Sequence, residues 1–289
     1  MKEKFIESAA ASRDEIALQA ASLTALPLWW PLYARSLYKR TALDNKGMSY
    51  QTFFGRGSNN FRGMTANLAL QPLYPLAGFV LTTLLQKIEK IQQRDPVLAE
   101  KIVASFITGC STALVANPYE TTVIESQRRG ESPPKAFMRI LGQSGVKGLF
   151  TGMVPMAIRN GTFLCGLFVT TPELKKWFEK HMPGSGVVHQ MAASLLGATV
   201  PATIFTCVAI PFDLAAILRQ SDPDKQRFHS TLHVLQQVYR KHGLSAIKTG
   251  LLLRAAATCI EMAGVNLLKD KYHQALSDLS EDRVHLSEP

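Results

Sequence analysis

Gly148-Leu149-Phe150-Thr151-Gly152-Met153-Val154-Pro155, continuing to Arg159-Asn160, is the strongest of three copies of one pattern in this 289-residue chain. A glycine followed seven residues later by a polar or small pair recurs at Gly63 with Leu70-Gln71, at Gly152 with Arg159-Asn160, and at Gly250 with Ala257-Thr258. Each copy follows, by a few tens of residues, a proline inside an apolar helical run: Pro31, Pro118 and Pro211. The prolines lie 87 and 93 residues apart, the glycines 89 and 98. That spacing defines three units of roughly ninety residues, longer than the common solenoid periods. Their expected bounds are 9–97, 98–184 and 185–277, with 278–289 a mobile tail rich in Ser, Asp, Glu and His.

A bilayer core about 30 Å thick takes around 20 helical residues to cross. Residues 16–34, 64–86, 102–119 and 187–212 carry no formal charge. Residues 148–172 carry Arg159 alone, and 251–268 carry Arg254 and Glu261. Two spans per unit give six, so the expected fold is an all-α membrane protein. Between paired spans, residues 135–141 and 228–240 are basic with apolar side chains three and four apart, as in short helices lying on a membrane surface. Gly145 and Gly243 end these segments. Small residues at Gly109 and Ala113, and at Ala193, Gly197 and Pro201, suit close helix packing in lipid.

The formal net charge of +10 suits anionic lipid, anionic metabolites or nucleic acid. No zinc-finger, helix-turn-helix or RNA-binding pattern accompanies it, so nucleic acid is not an expected partner. Cys110, Cys165, Cys207 and Cys259 stand singly in apolar runs and read as small buried hydrophobes, with no metal or redox motif. The N-terminal Met1-Lys2-Glu3-Lys4-Phe5-Ile6-Glu7 resembles neither a secretory signal nor an Arg-rich transit peptide. No phosphate-cradling glycine loop follows a predicted strand, and no catalytic constellation is evident. Neither enzymatic activity nor a cofactor is expected.

At 148–159 and at the proline sites the chain resembles the mitochondrial carrier family, from about Ala9 to about His273. That resemblance implies three repeats of two membrane helices with a short matrix helix between them. It implies a monomer in the mitochondrial inner membrane, with lipid partners that include cardiolipin at the short matrix helices. The divergence also resembles carriers that intracellular bacteria deliver to host mitochondria, in which case the membrane is the host's.

The family's odd helices carry P-x-[DE]-x-x-[KR], whose acids and bases pair to close the matrix side. Pro118 with Glu120 and Pro211 with Asp213 keep proline and acid, whereas Tyr33 stands at the first acid position after Pro31. Ser36, Val123 and Ala216 occupy the basic positions. Arg35 is one residue early, about 100° around the helix. Gln127 and Gln220 match the family's bracing glutamine, and Arg40 takes that place in the first repeat. With the motif cations missing, Glu120 and Asp213 are expected to find hydrogen bonds or water instead. For the cytosolic gate the resemblance points to Asp270 with His273, Glu173 with Lys176, and Thr83 with Gln86.

In the family the cargo is held by even-helix residues seven positions beyond each glycine, here Leu70-Gln71, Arg159-Asn160 and Ala257-Thr258. Arginine at membrane depth is costly unless it faces water or an anion, and its planar fork suits carboxylate or phosphate. Arg159 therefore either receives an anion or pairs internally with Glu261, Glu120 or Asp213. Arg254 and Glu261 share one helical face. Their separation, a rise of about 10 Å, favours separate contacts to a charged cargo and a proton over a direct bridge.

Arginine followed by a polar residue at the second contact position resembles carboxylate and phosphate carriers. Arg159 and Arg254 suit nucleotide phosphates equally well, with Tyr33 or Tyr74 to stack a base. The expected activity is exchange of a small anionic metabolite by alternating access. The alternative is a transport-deficient membrane adaptor, for which the missing matrix cations are the best evidence.

Overall fold

The computed structural model describes residues 2–43, 49–54, 64, 68, 70–184, 186–224 and 226–286. The fold is all-α: α1 (Lys2–Ala42), α2 (Tyr50–Phe54), α3 (Leu73–Gln92), α4 (Leu98–Arg129), α5 (Pro133–Leu149), α6 (Met153–Leu164), α7 (Thr171–His181), α8 (Val187–Gln220), α9 (Thr231–His242), α10 (Ser245–Lys248) and α11 (Leu251–Leu286). A π-helical turn over Cys165–Thr170 carries α6 into α7 as one rod. Pro172 accounts for it. Its ring would clash with the carbonyl four residues back, and the wider turn lets Thr171 N–H reach Gly166 O instead.

Among the described residues, four helical runs are long and apolar enough to cross a membrane: Leu98–Arg129, Met153–His181, Val188–Gln220 and Leu251–Leu276. Of the two spans expected in the first unit, 16–34 falls within α1 and 64–86 overlaps α3. The second is interrupted: Met64 and Leu68 are helical, a turn over 70–72 follows, and α3 begins at Leu73. Pro72 and Pro75 explain the interruption. Neither has an N–H to give, so both are tolerated at a helix's first turn and not deep inside one. Gly63 lies outside the described residues. α11 continues to Leu286 through most of the segment expected to be a mobile tail.

Burial is inverted relative to a water-soluble bundle. On α4, Thr108, Asn117 and Thr121 are buried while Ile107, Leu114 and Val115 are more than half exposed. On α8, Asp213 and Gln220 are buried while Ile204 and Val208 face outward. An apolar exterior around a polar interior is what lipid outside and water inside select. Cys207 follows the same logic. It is exposed, and not buried as its apolar run suggested, whereas Cys110 and Cys165 donate from α4 and the π turn to Ala157 O and Ile102 O across the α4–α6 contact.

That contact is close because Gly109 faces Gly161. A Cβ on Gly109 would lie 2.5 Å from Asn160 O, so any side chain would drive α4 away from the helix carrying Arg159 and Asn160. The repeated glycines answer a different need. Gly152 (φ +89°) and Gly250 (φ +74°) adopt left-handed backbone where the chain enters α6 and α11, a conformation glycine takes without penalty. α5 and α9 cover the short-helix end as expected, α5 kinking at Gly145 and α9 ending at Gly243. α5 is tied down by charge: Arg139 reaches fully buried Glu125 of α4 at 3.0 Å and Glu131 at 2.6 Å.

Candidate functional site

A central cavity of about 130 Å³ is lined by residues of six helices, α1, α3, α4, α6, α8 and α11. Its floor, toward the short-helix end, is an ion-pair cluster centred on Asp213. This carboxylate is 2 % exposed. It accepts from Arg40 Nη1, lies 3.2 Å from Arg159 Nη1, and lies 3.3 Å from Arg254 Nε. Arg159 also grips Glu120 bidentately, at 2.8 and 3.1 Å. Charge-assisted, two-pronged bonds of this kind are strong and directional.

Each guanidinium is held by local structure. Asn160 Oδ1 accepts from Arg159 Nε and Nη2 at 3.1 and 3.0 Å, and Asn160 Nδ2 donates to Thr112 Oγ1 of α4 at 3.0 Å. Arg40 donates to Ser36 Oγ at 2.7 Å, and Ser36 Oγ in turn donates to Gly250 O at 2.9 Å. Arg254 lies over the Tyr33 ring, 4.6 Å from its centroid. Where the motif would put an acid, a π face therefore meets the cation. Below this layer Gln220 Nε2 donates to Asn117 Oδ1 at 3.2 Å, and Asn117 Nδ2 donates to Leu149 O at 2.8 Å, bracing α8 against α4 and the α5 exit.

The expectation that Glu120 and Asp213 lack cationic partners is therefore corrected. Three arginines from outside the motif's basic positions supply them. Arg35, the substitute considered from sequence, lies exposed, and Arg40 reaches Asp213 because it stands one turn beyond Ser36 on the same face. Of the two roles open to Arg159, internal pairing with Glu120 and Asp213 is what the structure displays.

Among the expected cargo contacts, Leu70, Gln71, Arg159, Asn160, Arg254, Thr258 and Glu261 line the cavity. Ala257 does not: it is fully buried in the aromatic cluster around Trp29, Trp30 and Tyr33, where a methyl lets α11 approach α1. Leu70 and Gln71 project from the turn before α3 and not from a helix. Pro31 lies within α1, and Gln127 is buried near the end of α4.

At the opposite end Glu173 meets Lys101 of α4 at 3.7 Å, a pairing different from the expected Lys176. Thr83 Oγ1 donates to Phe79 O of its own helix at 2.9 Å, Gln86 and Lys176 are exposed, and His273 is half-buried. The side chains of Asp270 and Tyr74 lie outside what the structure describes.

Apolar surface around a charged, six-helix-lined cavity defines a helical membrane protein with a polar central chamber. The chain belongs to the mitochondrial carrier protein family, whose model matches residues 94–182 and 188–279. It is similar to a mitochondrial tricarboxylate transporter 1 of Mycosarcoma maydis, 28 % identical over 40 % of this chain and 38 % of that protein. It is also similar to a probable mitochondrial 2-oxoglutarate/malate carrier protein of Dictyostelium discoideum, 22 % identical over 66 % and 63 %. A third relative, a mitochondrial succinate-fumarate transporter 1 of Arabidopsis thaliana, is 25 % identical over 53 % and 54 %. The matched region thus spans less than two thirds of each of these relatives.

Proposed function

We propose that the protein is a solute carrier of the mitochondrial inner membrane that exchanges a small anionic metabolite by alternating access. The observation that carries this reading is Arg159. It is a nearly buried guanidinium at the floor of a chamber lined from six helices, held by Asn160 and bonded to two carboxylates that an incoming anion can replace. Thr258 and Gln71 offer further polar contacts, and Arg254 a second cation.

Carboxylates are the favoured cargo class, since the relatives described above are named for tricarboxylate, oxoglutarate/malate and succinate-fumarate transport. A nucleotide is the second class, since both arginines suit phosphates. Three carrier repeats bounded near 97 and 184 are part of the same reading. So are a matrix gate of Tyr33, Glu120, Asp213 and the bracing Gln220, a cytosolic gate that includes Glu173 and His273, and cardiolipin at the short helices.

A cargo that binds one state better than another stabilises that state. Thermal unfolding of detergent-purified protein should therefore rise in the presence of millimolar citrate, 2-oxoglutarate, succinate or ATP for at least one member of the panel. A flat response across the panel favours the adaptor alternative.

A further inference from the structure

The ion pairs at the floor are unevenly distributed among the helix pairs, and that inequality decides how the floor can open. The boundary between α1 and the α8/α11 pair is crossed by Arg40–Asp213, by Arg254 stacked on Tyr33, and by Ser36 Oγ donating to Gly250 O. Arg40 and Asp213 are 0 % and 2 % exposed, so their attraction is little screened. Among the described residues, the boundary between the α4/α6 pair and α8 is crossed by a single ion pair, Arg159–Asp213 at 3.2 Å, and otherwise by hydrogen bonds: Gln220 to Asn117 and Met156, and, just past the end of α8, Ser144 Oγ to Asp224 and Thr151 Oγ1 to Pro223 O. Between α1 and α4 a small cavity is lined by Trp30, Leu37, Val123 and Ile124 together with Tyr33, Tyr119 and Glu120, and among the described residues no ion pair joins the two helices.

Arg159 alone among these cations also lines the chamber on the α4/α6 side, and Glu120, its stronger partner, belongs to that same side. An anion that takes the Arg159 fork competes with Asp213 and removes the ion pair joining α6 to α8. Asp213 remains neutralised by Arg40 and Arg254, so nothing drives the other boundary apart.

We infer that Arg40 is a fixed clamp and Arg159 a releasable one, so that the floor opens asymmetrically, with α4 to α7 moving away from a locked block of α1, α8 and α11. Arg40 is then a positioning residue for transport: it acts through Asp213 and does not touch cargo. This inference rests on the carrier reading above, and it adds which boundary yields.

Spin labels read it directly. Lys39 on α1, Met138 on α5 and Gln236 on α9 are exposed at the short-helix end. α5 follows α4 through Arg139–Glu125, and α9 follows α8 through Val234 and Val238 packed on Leu214 and Leu218. In a background with the four cysteines replaced by alanine, pairwise labels are measured by double electron–electron resonance in unmutated, R159A and R40A proteins.

The expected result for R159A is longer 39–138 and 138–236 distances with 39–236 unchanged. For R40A, 39–236 lengthens, and Arg40→Lys retains the short distance. Uniform lengthening in R159A, or no change in it, overturns the inference. If R159A does not purify, R159Q carries the same test, and the exchanged pair R40D/D213R should restore the short 39–236 distance that R40D alone loses. Failure of the carrier reading is separable, because it appears as absent cargo response with these distances still behaving as expected.

Discussion

Asp213→Ala should be the most destabilising single substitution in the chamber, lowering the unfolding free energy by about 3–5 kcal/mol, the usual consequence of removing one partner from a buried ion pair. Asp213 is the shared acceptor of Arg40, Arg159 and Arg254, so its loss leaves three guanidiniums facing one another with reduced compensation. Glu120→Ala should cost less. Glu120 is more exposed, and Arg159 keeps its bonds to Asp213 and Asn160.

Thermal unfolding in detergent measures the difference. The double variant D213A/R40A should recover part of the loss, because it removes a buried cation together with the missing anion. Strict additivity of the two single effects would show that the pair does not interact.

Arg159→Ala should lower cargo exchange by about two orders of magnitude, the equivalent of roughly 3 kcal/mol for truncating one member of a buried charge-assisted contact. Arg159→Lys should recover charge and little activity, since an ammonium cannot present two parallel N–H groups to a carboxylate or phosphate. Exchange rates in proteoliposomes at several cargo concentrations separate the two consequences. Loss of the anion contact raises the concentration for half-maximal exchange, whereas loss of the floor ion pair alters the maximal rate.

Much of the fold was legible because the repeated signals are backbone requirements. Gly152 and Gly250 need left-handed backbone, Gly109 needs a missing side chain, and Pro118 and Pro211 sit inside long helices. Each leaves a mark that does not depend on distant contacts. The turn at 70–72 was less legible, because Pro72 and Pro75 stand in a run of residues apolar enough to read as a continuous span.

At the site, Arg159 announced itself as a lone cation in an apolar stretch. The role of Arg40 did not. The expected basic position is three residues beyond the acid, whereas Arg40 reaches Asp213 from a full turn past Ser36, with its guanidinium oriented by that serine. Tyr33 was misleading for a related reason. A missing acid reads as a missing interaction until the geometry shows a ring face beneath Arg254. Ala257 matched the spacing of a cargo contact, yet the rotation of α11 turns its methyl toward α1.

The most direct measurement is counter-exchange: uptake of labelled citrate, 2-oxoglutarate, succinate and ATP into liposomes that hold the purified protein and are loaded with the same compound. Saturable uptake of at least one of these anions, dependent on internal load, is the expected result. Uptake no greater than into protein-free liposomes for every compound would contradict it.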